Sequence, residues 1–131
     1  MEELAGECQA AGGQALAVPT DMTNEAAVAE LARHAVERFG GIDVWVNNAG
    51  VYLLGSLEAT PPEAFRRVLE TNFFGYVHGA RAVLPHFRDQ GHGVLNNNAS
   101  AYSHVGAPRP TAYEQQVRRP RVLRGATSRS R

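Results

Sequence analysis

Three times this chain turns at glycine into a short apolar run, and each time the run ends in a polar cluster. Gly12-Gly13 leads into QALAV and then Pro19-Thr20-Asp21. Gly40-Gly41 leads into IDVWV and then Asn47-Asn48-Ala49-Gly50. Gly91 to Gly93 leads into VLNNN and then Ala99-Ser100. Between these runs lie stretches with helical spacing. Residues 2–11 read as an amphipathic helix stopped by the glycine pair, since glycine reaches positive φ without strain. In EAAVAELARHAVERFG, Val28, Leu31, Ala32, Ala35, Val36 and Phe39 recur at the spacing of one helix face. Thr23 or Asn24 supplies its N-cap and Gly40-Gly41 its end. A third helix is expected from Thr60-Pro61-Pro62-Glu63 to about Arg88, with Thr60 as cap and Pro61 at its first position.

Strands are expected over 14–18, 42–46 and 93–100. The run Ile42 to Val46 is almost continuously apolar, which predicts burial on both sheet faces. Asn96 to Asn98 is an unusual strand sequence, and it predicts a weakened third strand. Strands alternating with crossover helices predict parallel pairing and a layered α/β fold, a partial Rossmann-like doubly wound sheet. In such sheets the ligand crevice lies outside the carboxyl ends of the strands, which is where the polar clusters fall.

Composition divides the 131 residues unevenly. All 13 basic Lys+Arg positions are Arg; residues 1–113 carry a net charge of −5 and residues 114–131 one of +5. The expected organisation is one α/β domain over 1–113 and an Arg-rich tail over 114–131. The tail lacks aromatic interleaving, so its charge is read as incidental and no nucleic-acid partner is expected. The single Cys8 rules out an internal disulfide and suits a reducing compartment. No apolar run approaches the roughly 20 residues of a membrane span, and MEELAGECQA has no hydrophobic signal core. A cytoplasmic location without membrane contact is expected. His34, His78, His86, His92 and His104 show no metal-ligand spacing, so no metal site is expected.

Four stretches, in order, resemble the short-chain dehydrogenase/reductase family: PTDMTN, DVWVNNAG, LETNFFG and NNNASAYSHVGAPRPTAY. The resemblance implies an NAD- or NADP-dependent oxidoreductase that interconverts an alcohol and a carbonyl on a small molecule. It implies that Asp21 contacts the adenine and that Asn48, Ala49 and Gly50 line the cofactor channel. It implies that Asn72 holds a relay water, that Ser100 supports the substrate oxygen, and that Tyr113 is the general acid/base. It further implies a homo-oligomer built through the helix over 61–88.

The chain departs from this pattern twice. No glycine-rich turn of the dinucleotide-binding kind precedes Asp21. Val117 stands where the family has a Lys, one helical turn after the Tyr. That Lys matters because a phenol with a pKa near about 10 needs a neighbouring cation to act near neutrality. Codons can be chosen for residues 114–123 that, read one base later, spell Ser-Ser-Lys-Phe-Ala-Val-Arg-Gly-Phe. A frameshift after Tyr113 is therefore one expectation for the tail. Two functional readings stay open: an oxidoreductase by descent, and a truncated remnant without turnover that acts at most as a weak binding or dimerisation module.

Overall fold

A computed structural model of the chain describes residues 2–56 and 58–99. The elements run α1 (Glu2–Ala10), α2 (Glu25–Phe39), β1 (Val44–Asn47), α3 (Pro62–Leu69), a π-helical turn (Glu70–Phe74), α4 (Gly75–Gln90) and β2 (Val94–Asn97). β1 and β2 pair in parallel, with Val44, Trp45, Val46 and Asn47 opposite Val94, Leu95, Asn96 and Asn97. The α/β class and the parallel crossover read from the sequence are both present.

α2 begins and ends as its sequence requires. Asn24 caps it, with Oδ1 accepting from the Ala27 N–H at 3.2 Å. Gly40, at φ 88°, closes it by donating its N–H to the Val36 carbonyl. Asn24→Ala should therefore lower stability by about 1 kcal/mol, read as a lower urea midpoint at unchanged slope. Along one face, Val28 and Ala32 are fully buried and join Ile42, Trp45, Val83 and Phe87 in the core. α2 lies against α4, which in turn covers one face of the sheet.

The strand starts are tied down opposite the polar ends. Gln90 Nε2 donates to the carbonyls of Ile42 (2.6 Å) and His92 (2.8 Å). His92 Nε2 lies 3.0 Å from Asp43 Oδ1. Phe87 packs where any side chain on Gly93 would stand.

Four expectations need correction. Residues 14–18 form no strand. An extended segment becomes a strand only through a ladder with a neighbour, and no partner strand lies beside it among the described residues. β1 is buried on one face, not two: Trp45 and Asn47 are buried while Val44 and Val46 are more than half exposed. α4 covers the first pair, and no described element covers the second. The helix expected over 61–88 is interrupted by five π-helical residues. Finally, Pro61 occupies the cap position without a side-chain bond and Pro62 is the first helical residue. Thr60 Oγ1 donates instead to the Ser56 carbonyl at 2.8 Å.

Candidate functional site

The Asn48–Gly50 loop leaves the carboxyl end of β1, and this loop and the Asp21 turn are both fastened to the helical stretch that contains the π-helical turn. π-helical turns open a helix locally and are frequent at functional sites. Asn72, in the middle of this one, faces the loop after β1. Its Oδ1 accepts from the Val51 N–H at 2.7 Å, and its Nδ2 donates to the Val51 carbonyl at 2.9 Å. One amide side chain thus satisfies both main-chain groups of the residue that follows Asn48-Ala49-Gly50. Gly50 itself lies against Asn72, where an added Cβ would meet Oδ1 at 3.5 Å. The amide therefore fixes where the loop leaves the strand.

The Asp21 turn is anchored on the same stretch of helix. Gly75 lies close under Met22, with room for no more than a tight contact at 3.0 Å from the Met22 Cβ. One turn on, His78 Nδ1 lies 2.9 Å from the Met22 carbonyl. A carbonyl only accepts, so Nδ1 carries the proton and donates. Within the turn, Asp21 Oδ1 accepts from both the N–H and the hydroxyl of Thr23, each at 2.9 Å. Those two bonds, the backbone one first, hold the exposed Asp21 carboxyl below the usual carboxylate range. Whatever the turn gains from that charge is present above the ordinary carboxylate pKa and lost as the pH falls through the lowered one.

The strand ends are joined by asparagines. Asn47 is almost fully buried, its side chain 1% exposed with its residue. Its Oδ1 accepts from Trp45 Nε1 at 2.8 Å; its Nδ2 donates to Asn97 Oδ1 at 2.8 Å and to the Tyr76 carbonyl at 3.2 Å. One residue on, Asn98 Nδ2 donates to Asn48 Oδ1 at 2.6 Å. The Asn98 N–H donates to the Asn47 carbonyl at 2.9 Å, and Tyr76 Oη donates to the Asn98 carbonyl at 2.8 Å. Parallel register places Asn47 beside Asn97, and the backbone bond from Asn98 to Asn47 carries the alignment one residue past the strands, where the second amide pair closes.

Of the residues singled out from sequence, Asp21, Asn48, Ala49, Gly50 and Asn72 are therefore carried by segments fastened to residues 72–78. Ser100 and Tyr113 lie outside the described residues. Asn47, Tyr76, His78 and Asn98 were not selected as site residues from sequence. Asn47 had one available signal, its place as the first residue of the Asn47–Gly50 motif at the end of an apolar strand. No group of three or more His, Cys, Asp or Glu suited to a metal occurs among the described residues. No described helix is long and apolar enough to cross a membrane.

The family described as short chain dehydrogenase matches residues 1–114. A D-beta-hydroxybutyrate dehydrogenase of Rhizobium meliloti is 35% identical over 112 residues, which is 86% of this chain and 42% of that protein. A 2-(R)-hydroxypropyl-CoM dehydrogenase of Xanthobacter autotrophicus is 44% identical over 101 residues, 75% of this chain and 40% of that protein. The chain thus spans about two-fifths of the length of these relatives. A gluconate 5-dehydrogenase of Burkholderia cenocepacia, solved with NADP and tartrate, superposes with a TM-score of 0.80 at 29% identity. That superposition covers 88% of this chain and 45% of the other. With its ordered motifs, its parallel crossover and a match extending over residues 1–114, the chain belongs to the short-chain dehydrogenase/reductase family.

Proposed function

We propose that this chain is the cofactor-facing middle of an NAD- or NADP-dependent oxidoreductase that interconverts an alcohol and a carbonyl. We propose further that these 131 residues alone do not turn over substrate. The observation that carries the first reading is the common anchoring of the Asp21 turn and the Asn48–Gly50 loop on residues 72–78. Two segments remote in sequence are fastened to one helical stretch. They fit a dinucleotide in kind: an exposed carboxylate turn, a loop with glycine at its close approach, and no bulky side chain on Gly50. The cofactor, when bound, supplies the hydride chemistry. The residues of this chain bind, orient and move protons.

In this reading Asp21 meets the adenine, and Asn48, Ala49 and Gly50 line the cofactor channel. Asn72 belongs to the proton relay. Tyr113 is the general acid/base, and Ser100 donates to the substrate oxygen as charge develops there. The family match and the NADP in the gluconate 5-dehydrogenase structure support the cofactor class. The substrate is a small alcohol or carbonyl compound. Two features of the 131 residues argue against turnover in isolation. They contain no Lys to lower the Tyr113 pKa and no glycine-rich pyrophosphate turn.

The family match stops at residue 114, which supports treating 114–131 as a tail outside the domain, and a shifted reading frame explains its composition. Sequencing the DNA around codon 113 tests this: a frame that resumes no family sequence overturns it. Phe73, Phe74, Val77 and Leu84 are exposed on the helical stretch 62–90, which supports a homo-oligomer formed through that stretch. A cytoplasmic enzyme acting on a soluble substrate is the matching placement.

The function is tested by transplant. Residues 1–113 replace their counterpart in the Rhizobium meliloti relative, and reduction of NAD or NADP by D-beta-hydroxybutyrate is followed at 340 nm. Retained turnover that falls about a thousandfold on Tyr113→Phe is the expected result. A folded chimaera with no turnover overturns the oxidoreductase reading. The isolated 131 residues are expected to give no enhancement of NADH or NADPH fluorescence at micromolar concentration. Saturable enhancement there would remove the case against activity in isolation.

A further inference from the structure

We propose that Asn98, held by Tyr76, is a positioning residue for the Asn48–Gly50 loop; this rests on the reading of that loop as a cofactor wall. Asn98 makes three bonds at the end of β2, and each reaches a different part of the site. Its N–H donates to the Asn47 carbonyl at 2.9 Å, extending the ladder by one residue beyond the last paired strand position. Its Nδ2 donates to Asn48 Oδ1 at 2.6 Å, fixing the side chain that opens the loop. Its carbonyl accepts from Tyr76 Oη at 2.8 Å, which ties the whole arrangement to α4.

Tyr76 grips both strand ends. Its main-chain carbonyl takes the Asn47 Nδ2 while its hydroxyl reaches Asn98. The loop is thereby fixed at two points, Asn48 through Asn98 and Val51 through Asn72. Ala49 and Gly50 are the two residues suspended between them. A backbone span of two residues held at both ends has few conformations left, which is what a wall presenting main-chain groups to a ligand needs. Cutting the Asn98 side-chain bond should move the strand-side hold back from Asn48 to Asn47, and lengthen the free span before Val51.

The chemistry of the bridge gives it a signature. Asn98→Leu keeps the branched outline of the side chain, with larger ends, and removes the donor. Asn98→Asp also removes the donor, but the Asn48 amide can turn over and donate its own N–H to the new carboxylate. The leucine variant should release the loop and the aspartate variant should hold it. A residue that only fills space would show the reverse or no difference.

The test uses the full chain with 13C-carbonyl Asn and 15N-Ala. Only Asn48-Ala49 and Asn98-Ala99 then give carbonyl-to-amide correlations, because no other Asn precedes Ala. In the parent, the Ala49 amide should have a rigid-backbone order parameter near about 0.85. In Asn98→Leu it should fall toward about 0.6, and in Asn98→Asp it should stay near the parent value. In Tyr76→Phe the Asn98 carbonyl signal should move upfield, and Ala49 should loosen by a smaller amount. An Ala49 order parameter unchanged in Asn98→Leu, with far-UV circular dichroism showing a folded chain, overturns the proposal. So does an Asn98→Asp variant as loose as the leucine one. Should Asn98→Leu not fold, Tyr76→Phe carries the decision through the same Ala49 amide. These readouts need no cofactor. A loop that loosens as expected in a protein whose chimaera has no turnover keeps the clamp and removes only the cofactor reading.

Discussion

Gly79→Ala should cost this chain about 4 kcal/mol of stability, although it adds one methyl group to a helix. Gly79 is buried on α4 directly under β1. The new Cβ would stand far inside van der Waals contact with Asn47 Oδ1 and 2.8 Å from Trp45 Nε1. Neither neighbour is the free end of a flexible side chain, since the two are bonded to each other. Asn47 also holds Asn97 and the Tyr76 carbonyl. Relief therefore requires either moving α4 away from the sheet or breaking the buried amide network. Overpacking costs about 1–3 kcal/mol, and each buried polar group left without a partner costs about 1–3 kcal/mol more. A loss of about 4 kcal/mol follows, against a net stability of about 5–15 kcal/mol for a small domain. Urea denaturation followed by circular dichroism measures it. Gly6→Ala is the matched control. No atom lies within 4 Å of its Cβ position, and in an exposed helix the change favours folding by up to about 1 kcal/mol. A Gly79→Ala midpoint within error of the parent would mean that α4 and β1 are not in the close contact described.

What could be read from the residues and what could not divide along the range of the interactions. α2 was legible because every signal for it is local: the 3.6-residue period, the Asn24 cap and the Gly40 stop all lie within it. The parallel crossover was legible because helical stretches separate the strands. Residues 14–18 have the composition of a strand, but pairing depends on a neighbour that local sequence does not name. The double burial expected of Val44 and Val46 failed for the same reason. An apolar run tells that faces can be buried, and only the elements packed on them decide whether they are.

The site shows the same division. Asp21, Asn48, Ala49, Gly50 and Asn72 were selected on motif and family resemblance, and all five sit on segments fastened around the π-helical turn. Local propensity does not specify that turn: Thr71 to Gly75 are weak helix formers, yet the helix runs on through them, and the extra residue shows only as a change of hydrogen-bond ring. Tyr76 was invisible for another reason. Its role depends on the rotation of α4 against β2, a tertiary quantity, and in isolation it reads as one more aromatic on a helix. The asparagine run was misleading in a useful way. Strand propensity marks Asn96 to Asn98 as poor strand formers, yet β2 forms over Val94–Asn97. Asn97 finds Asn47 at the same register on β1, and Asn98 finds Asn48 one residue beyond it. Local preference disfavoured what a cross-strand amide pair holds in place.

Asn47→Asp isolates that network, because it changes two donors to acceptors while leaving shape almost untouched. The Trp45 indole N–H still finds an oxygen to donate to. Asn97 can turn its amide and donate to the new carboxylate. The Tyr76 carbonyl cannot adapt: it faced an N–H at 3.2 Å and would face a negatively charged oxygen. A carboxylate in a site only 1% exposed also loses most of its hydration. Together these should cost about 3 kcal/mol at neutral pH. The pH dependence then separates charge from packing. Burial and the facing carbonyl favour the protonated acid, so the folded pKa of the variant lies above the unfolded value of about 3.9. A group raised in this way contributes its stabilisation fully below the unfolded pKa and loses it as the pH rises through the folded one. The stability gap between parent and Asn47→Asp should therefore be wide at pH 7 and should narrow as the pH is lowered toward about 4. Asn47→Leu, which removes the donors without adding a charge, should show a gap that does not change with pH. Urea midpoints of the three proteins between pH 4 and pH 7 decide it. Parallel curves for the aspartate and leucine variants would mean that the side chain of residue 47 reaches solvent, and the buried amide link between α4, β1 and β2 would fall with that result.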